Sequence, residues 1–281
     1  MTTLDPISTF FLIDNAMLSV GDGKAIGAGE RPDWAACVYE DRAASVSPYL
    51  IDLHAASETG HLDRAMELIN ATPEKLHVSI IDTALSLSEL AQHLRRFIMV
   101  KTAGGTNLTL RFADCSVLPE LAQALTPGQW SAIAWPMTRW RVHAYDGGLL
   151  SLPKPDVAVP RSPLPLLLTE KQLATLNEAM VPNNVLANLR AMRHGAVLPG
   201  SVADQHRWAA ESSRLWRSSG NRQEIVLRWL TSAALDTLGT VLHQETIGPL
   251  LAMSDLDQIR SGLHAVVAKH HARFNSMGKR Q

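Results

Sequence analysis

The sequence predicts an α+β protein: an N-terminal mixed α/β lobe over residues 1–152, a proline-rich linker over 153–165, and a C-terminal all-α lobe over 166–281. Three observations predict this. Short β-prone runs alternate with short capped helices in the first half. Five of the fifteen prolines then crowd into PKPDVAVPRSPLP, where missing donors and a fixed φ favour a linker or a strap over a surface. Beyond that stretch the apolar residues recur at helical spacing.

Taken in order, strand-like runs fall at Phe10 to Asn15, Ala36 to Tyr39, Tyr49 to Leu53 and His77 to Ile81. A helix is expected near Leu62 to Ile69. Ser86 and Glu89 form a capping box, each side chain serving an orphan amide at the start of a helix over Leu87 to Arg95. Leu87, Leu90 and Leu94 give that helix one apolar face. The pattern changes to strand over Phe97 to Lys101, turns at Gly104-Gly105, and returns over Asn107 to Phe112. Two further short helices are read near Pro119 to Leu125 and over Pro127 to Trp135. The second opens on a capping box of Thr126 and Gln129, with proline at the first helical position. Met137 to Tyr145 alternates Trp140, Val142 and Ala144 against Arg139, Arg141 and His143, and Asp146-Gly147-Gly148 turns it into Leu149 to Leu152.

After the linker, Thr169 and Gln172 form a third capping box, for a helix reaching about Met180. Helices are then expected over Asn183 to Met192, Ala203 to Trp216 and Arg222 to Leu242, with a last one from a Ser254 cap to about Phe274. The Arg222 to Leu242 segment is apolar on most sides, which marks a central, buried helix.

Composition bounds the function. The hydrophobic fraction of 46% and charged fraction of 19% are those of an ordinary globular protein. A formal charge of −1 gives no global attraction to nucleic acid or membrane. Cys37 and Cys115 lie far apart with no CxxC, which suits a reducing compartment. The apolar run Phe10 to Ile13 is too short for a signal peptide, and nothing approaches a membrane span, so the expected address is the cytoplasm. Seven tryptophans outnumber five phenylalanines; tryptophan serves both cores and interface hot spots.

The run HLRRFIMVK, the Gly-Gly turn, LTLRFAD and LTPGQW closely resemble the DUF4123 family of bacterial type VI secretion proteins. FFLIDNA (Phe10 to Ala16) looks like its opening strand and SPYLIDL (Ser47 to Leu53) like its central one. The resemblance covers roughly residues 8 to 145. It departs at Ala113, where the family has an aromatic residue, and at Ser116, often a proline. The resemblance implies a cytoplasmic adaptor chaperone that binds a toxic effector, through the effector's N-terminal segment, and helps load it onto the secretion spike protein. It implies no catalysis and no cofactor, and neither nucleic acid nor membrane as partner.

Candidate partner-binding residues are Arg95, Arg96, Arg111 and Trp140. Arg95 and Arg96 lie on the polar side of their helix, open to a partner. Arg111 has two readings: a grip on the effector, or an internal pair with an acid such as Asp114, which suits arginine's planar fork. Other polar clusters carry blander readings. The glycines at 21, 23, 27 and 29 match neither the dinucleotide fingerprint nor a Walker loop and read as a surface loop. His54 and His61 flank Ser57 and Glu58 without metal-ligand spacing. The basic C-terminal stretch reads as a solvated helix face and tail. No GxSxG, HExxH or Cys-His signature is present. Two alternatives stay open: an enzyme whose site assembles only in space, with His54, His61 or His143 beside a carboxylate, and a nucleic-acid-binding regulator.

Overall fold

The computed structural model describes residues 6–19, 25–26, 32–39, 46–155 and 161–277. It divides into two compact units, residues 1–177 and 178–281. The first holds an antiparallel sheet with helices on both faces and the second is helical, so the protein is α+β.

In the first unit the strands are β1 (Ser8–Asp14), β2 (Ala35–Cys37), β3 (Pro48–Ile51), β4 (Val78–Thr83), β7 (Met137–His143) and β8 (Leu149–Ser151). They form one antiparallel sheet in the order β2-β3-β1-β4-β7-β8. The pleat of β1 sends alternate residues to opposite faces. Phe10 and Leu12 join a core with Leu90 and Leu94 of α4 (Leu87–Arg95), Leu118 and Leu121 of α5 (Leu118–Ala124), and Trp130 and Ile133 of α6 (Pro127–Ala134). Ile13 faces the other way, into a core with Ala56 of α2 (Leu53–Glu58) and Ala65 and Leu68 of α3 (Leu62–Ile69). Asn15 to Ser19 forms α1. Because both faces of its centre are covered, the sheet has continuous apolar runs rather than a clean polar alternation.

A second, three-stranded sheet runs β6-β5-β9, from β5 (Met99–Thr102), β6 (Asn107–Thr109) and β9 (Leu167–Leu168). The expected strand Asn107 to Phe112 is regular only over Asn107–Thr109, with a last bond from Leu110 N–H to Ile98 O at 2.8 Å. Both N-terminal capping boxes form as read: Glu89 N–H donates to Ser86 Oγ at 3.3 Å and Ser86 N–H to Glu89 Oε2 at 2.9 Å, and Thr126 and Gln129 do likewise.

The division between units is displaced from the proline-rich stretch. The described residues after the prolines still belong to the first unit: Ser162 N–H donates to Gly128 O at 3.0 Å, β9 pairs in parallel with β5, and Leu166 and Leu168 are buried in its core. Gln129 Nε2 donates to Leu167 O at 2.6 Å, and Gln172 Nε2 donates to Gln129 Oε1 at 2.6 Å. The glutamines of two capping boxes are thus wired together. Helix α7 (Glu170–Ala179) begins in the first unit and carries the chain into the second. A linker is recognised by composition, but a strand only two residues long has no periodicity to read.

The second unit contains α8 (Val181–Met192), α9 (Val202–Ser218), α10 (Glu224–Asp236), α11 (Ile247–Leu251) and α12 (Leu256–Met277). The central helix α10 packs against α8, α9 and α12 and buries Val226, Leu227, Leu230, Ala234 and Leu235. It stops at Asp236 rather than reaching Leu242. Gly239 takes φ +81°, and a short 3₁₀ turn, Thr240–His243, follows. A Cβ on Gly239 would lie 2.2 Å from Trp208 Nε1, so glycine is needed there for both its dihedral and its lack of a side chain. Replacing it with alanine combines a left-handed penalty of about 1 to 2 kcal/mol with displacement of Trp208. The expected result for Gly239→Ala is a loss of at least about 2 kcal/mol in urea unfolding; a loss under about 0.5 kcal/mol would contradict this packing.

Candidate partner-binding site

The four candidate residues do not form one patch. Arg95, in the last turn of α4, donates from Nε to Val38 O at 3.0 Å and from a terminal nitrogen to Cys37 O at 3.2 Å. It caps the outer edge of the sheet at β2. Arg96 is exposed, with its guanidinium carbon 6.0 Å from the centroid of the Phe97 ring, and has no hydrogen bond or ion pair among the described residues. Of the four, it is the one with its donors free for a partner.

Arg111 lies between two buried acids. Its guanidinium is 3.1 Å from Asp14 Oδ2 and 3.2 Å from Asp114 Oδ2. The Asp114 half was readable from the i, i+3 spacing. Asp14 was not, because 97 positions separate it from Arg111 and only the fold joins them. Asp14 Oδ1 also accepts from Ala16 N–H at 3.1 Å, and Asp114 Oδ1 from Ser116 N–H at 2.9 Å and Ser116 Oγ at 2.6 Å. Ser116, where the resemblance expects proline, therefore supplies two donors to the cluster.

Burial pushes the Asp114 carboxyl above its ordinary range, despite the Ser116 hydrogen bonds and Arg111. Arg111 stays charged: burial opposes its charge, and the two carboxylates outweigh that. Tyr39 is raised as well, by burial and then by Asp14. The arrangement is an internal charge cluster in which one guanidinium serves two carboxylates. About half of the arginine side chain remains open to solvent.

Trp140 is a correction. It is 3% exposed and stacks on Trp130, ring centroids 6.0 Å apart, while Nε1 donates to Ser79 Oγ at 3.0 Å. The β7 alternation that the sequence shows turns Trp140 into the core and leaves Arg139 and Arg141 on the opposite face. Those two arginines, not singled out as site residues, bind Asp82: Arg139 Nε at 2.8 Å and Arg141 at 3.2 Å, with Thr9 Oγ1 donating at 2.9 Å. Although burial opposes it, the Thr9 and Arg139 hydrogen bonds and the Arg141 charge hold the Asp82 carboxyl below its usual range.

No contact joins His54, His61 and His143 among the described residues, whereas His143 lies near His77 and shares the Val78 carbonyl with Cys115. His54 lies 3.4 Å from Glu58 on the open surface of α2. His61 stacks on Trp34 with centroids 6.3 Å apart, and His143 Nδ1 is 2.8 Å from Val78 O. Among the described residues no group of three or more His, Cys, Asp or Glu could hold a metal ion. Burial pushes the Cys115 thiol up to about 12, the opposite of an activated nucleophile. The glycine-rich stretch 21–29 and the tail beyond Met277 lie largely or wholly outside the described residues.

Two predictions follow from these environments. Arg111→Leu strands two buried carboxylates, which costs about 2 kcal/mol after allowing for the arginine's exposure. In an Asp14→Asn, Asp114→Asn background the same change is expected to be nearly neutral; equal losses in both backgrounds would exclude the charge cluster as the cause. The second concerns His77 and His93, whose pKa values burial lowers. His77 Nε2 lies 2.9 Å from Leu68 O and His93 Nε2 2.7 Å from Ile133 O, each a fit for a neutral ring donating to a carbonyl. The unfolded chain takes up protons near pH 6.5 that these folded rings refuse. Their contribution to stability is therefore complete above about pH 6.5 and is lost as pH falls below it. Urea midpoints at pH 7.5 and 5.5 check this, and His77→Gln should flatten the difference.

Among the described residues, no helix is long and apolar enough to cross a membrane. No curated protein and no solved structure matches the chain. Residues 10–132, which contain most of β1, the α4 arginines and the Arg111 cluster, match the family model of DUF4123, a domain of unknown function.

Proposed function

We propose that this protein is a cytoplasmic, non-catalytic adaptor chaperone that binds a type VI secretion effector and helps load it onto the spike protein. The observation that carries the reading is the DUF4123 match over residues 10–132, the same span that bears the motifs resembling those adaptors. Its mechanism is recognition by surface, not bond chemistry: free cationic donors and apolar patches on a rigid, doubly covered sheet. Arg96 suits such a role because its fork is unspent, and arginine is enriched at interfaces. The enzyme alternative draws less support, since His54, His61 and His143 sit apart and Cys115 is held as a buried thiol.

The test is affinity purification of the tagged protein from cells of its source organism, with mass spectrometry of stoichiometric partners. The adaptor reading expects a toxin-like protein, with or without spike components. Arg96→Glu should lower its recovery about tenfold, the scale of a hot-spot loss, at unchanged thermal stability. Isolation of the protein alone from cells making the secretion apparatus would count against the reading.

A further inference from the structure

Of the seven tryptophans, Trp135 alone is exposed, at 40%. It caps the C-terminal end of α6. The chain after the prolines is pinned to the opposite end of that helix, where Ser162 N–H donates to Gly128 O at 3.0 Å. The preceding residue, Arg161, reaches Trp135 from there, with its guanidinium carbon 4.8 Å from the centroid of the ring.

Arg96 and Arg161 share one environment. Each lies over an aromatic ring, Phe97 for Arg96 and Trp135 for Arg161. Neither makes a hydrogen bond or an ion pair among the described residues. A guanidinium with a ring against its face keeps its N–H donors along its edge, in the plane where a carboxylate binds. The two belong to one patch because both act on His93. That ring sits three positions before Arg96, and its Nε2 lies 2.7 Å from the carbonyl oxygen of Ile133, two positions before Trp135. Burial lowers the His93 pKa against the Ile133 hydrogen bond, and the charges of Arg96 and Arg161 lower it further. No carboxylate is among the groups that act on the ring. Glu89, the one acid of α4, stands in its first turn and accepts from Ser86 N–H at 2.9 Å and Ser86 Oγ at 2.7 Å.

The geometry points to Arg96, Arg161 and Trp135 as a docking patch for an acidic segment of a partner protein. The segment's carboxylates take the two free guanidinium edges, and an apolar side chain beside them covers the open part of the indole. Carboxylate on guanidinium is the strong, bidentate form of the charged hydrogen bond. Tryptophan and arginine are the residues enriched where interface energy concentrates. Two cations beside one ring do not supply the row of phosphate contacts on which nucleic-acid binding rests, and a net charge of −1 adds no attraction for it. The assignment deepens the adaptor reading and rests on it for the identity of the partner as cargo or spike.

The probe is a short blocked peptide with glutamates on both sides of a leucine. Its counterpart carries lysines in their place, and oligothymidylate tests nucleic acid. His93 is the reporter: carboxylates bound at Arg96 and Arg161 offset the two cations and raise the pKa of that ring. NMR titration of the full chain reads the shift, and calorimetry reads affinity. The acidic peptide is expected to raise His93 and to leave His54, on α2, unmoved, with binding that weakens as salt increases. The variant Arg96→Gln, Arg161→Gln should bind at least about tenfold more weakly at unchanged thermal stability. Arg207→Gln should bind as the unaltered chain does, because Arg207 also lies over a tryptophan but is paired with Asp204. An unmoved His93, an equal shift with the lysine peptide or oligothymidylate, or undiminished binding by the double variant would overturn the assignment. A shift that grows with protein concentration alone would do so as well, because a second copy would then be the occupant. If native partners co-purify as well with the double variant as with the unaltered chain, the adaptor reading stands and the patch falls. If none co-purify with the unaltered chain, the adaptor reading itself fails.

Discussion

The first unit depends on the pleat of β1. This strand lies inside the sheet, between β3 and β4, and its successive residues must satisfy two separate cores. Phe10 and Leu12 are claimed by the layer of α4, α5 and α6, and Ile13 by the layer of α2 and α3. A register slip of one residue would exchange the two sets and bring Asp14 out of reach of Arg111. The charge cluster is therefore a consequence of register. It forms where β1 leaves the apolar interior, and it ties that strand end to the Arg111–Asp114 turn far along the chain.

The same sheet also decides where most of the arginines of the first unit are held. Helices cover its centre, so the arginines that would otherwise be solvated there are drawn into fixed pairs: Arg95 with edge carbonyls, Arg111 with two aspartates, Arg139 and Arg141 with Asp82. Arg96 is the one of the candidate arginines that this wiring leaves unspent among the described residues. The thiol of Cys115 and the rings of His77 and His93 are held in the interior, where burial disfavours their charged forms.

The second unit follows a simpler rule. Its core is built around α10, and the chain turns sharply after that helix because Trp208 needs the space beside Gly239. The long apolar segment Arg222 to Leu242 carries a signal for burial, which is correct, and none for where the helix stops. A glycine late in an apolar run reads as tolerable inside a helix; only the position of the indole, on another helix, decides that it is a terminator.

What the sequence by itself determined is local. The Ser86–Glu89, Thr126–Gln129 and Thr169–Gln172 boxes, the helical faces and the β7 alternation are interactions between residues within a few positions of one another, and their spacing suffices to read them. The Asp114 side of the Arg111 pair was legible for the same reason. What only the tertiary structure decided is everything that needs distant segments to meet. Asp14 joins Arg111, Trp140 turns inward onto Trp130, the Gln129 and Gln172 caps bond to each other, and Leu166 to Leu168 return after the prolines to extend a sheet. None of these has a period or a motif, because contact between residues tens of positions apart is set by the packing of whole layers and leaves no regular spacing in the chain.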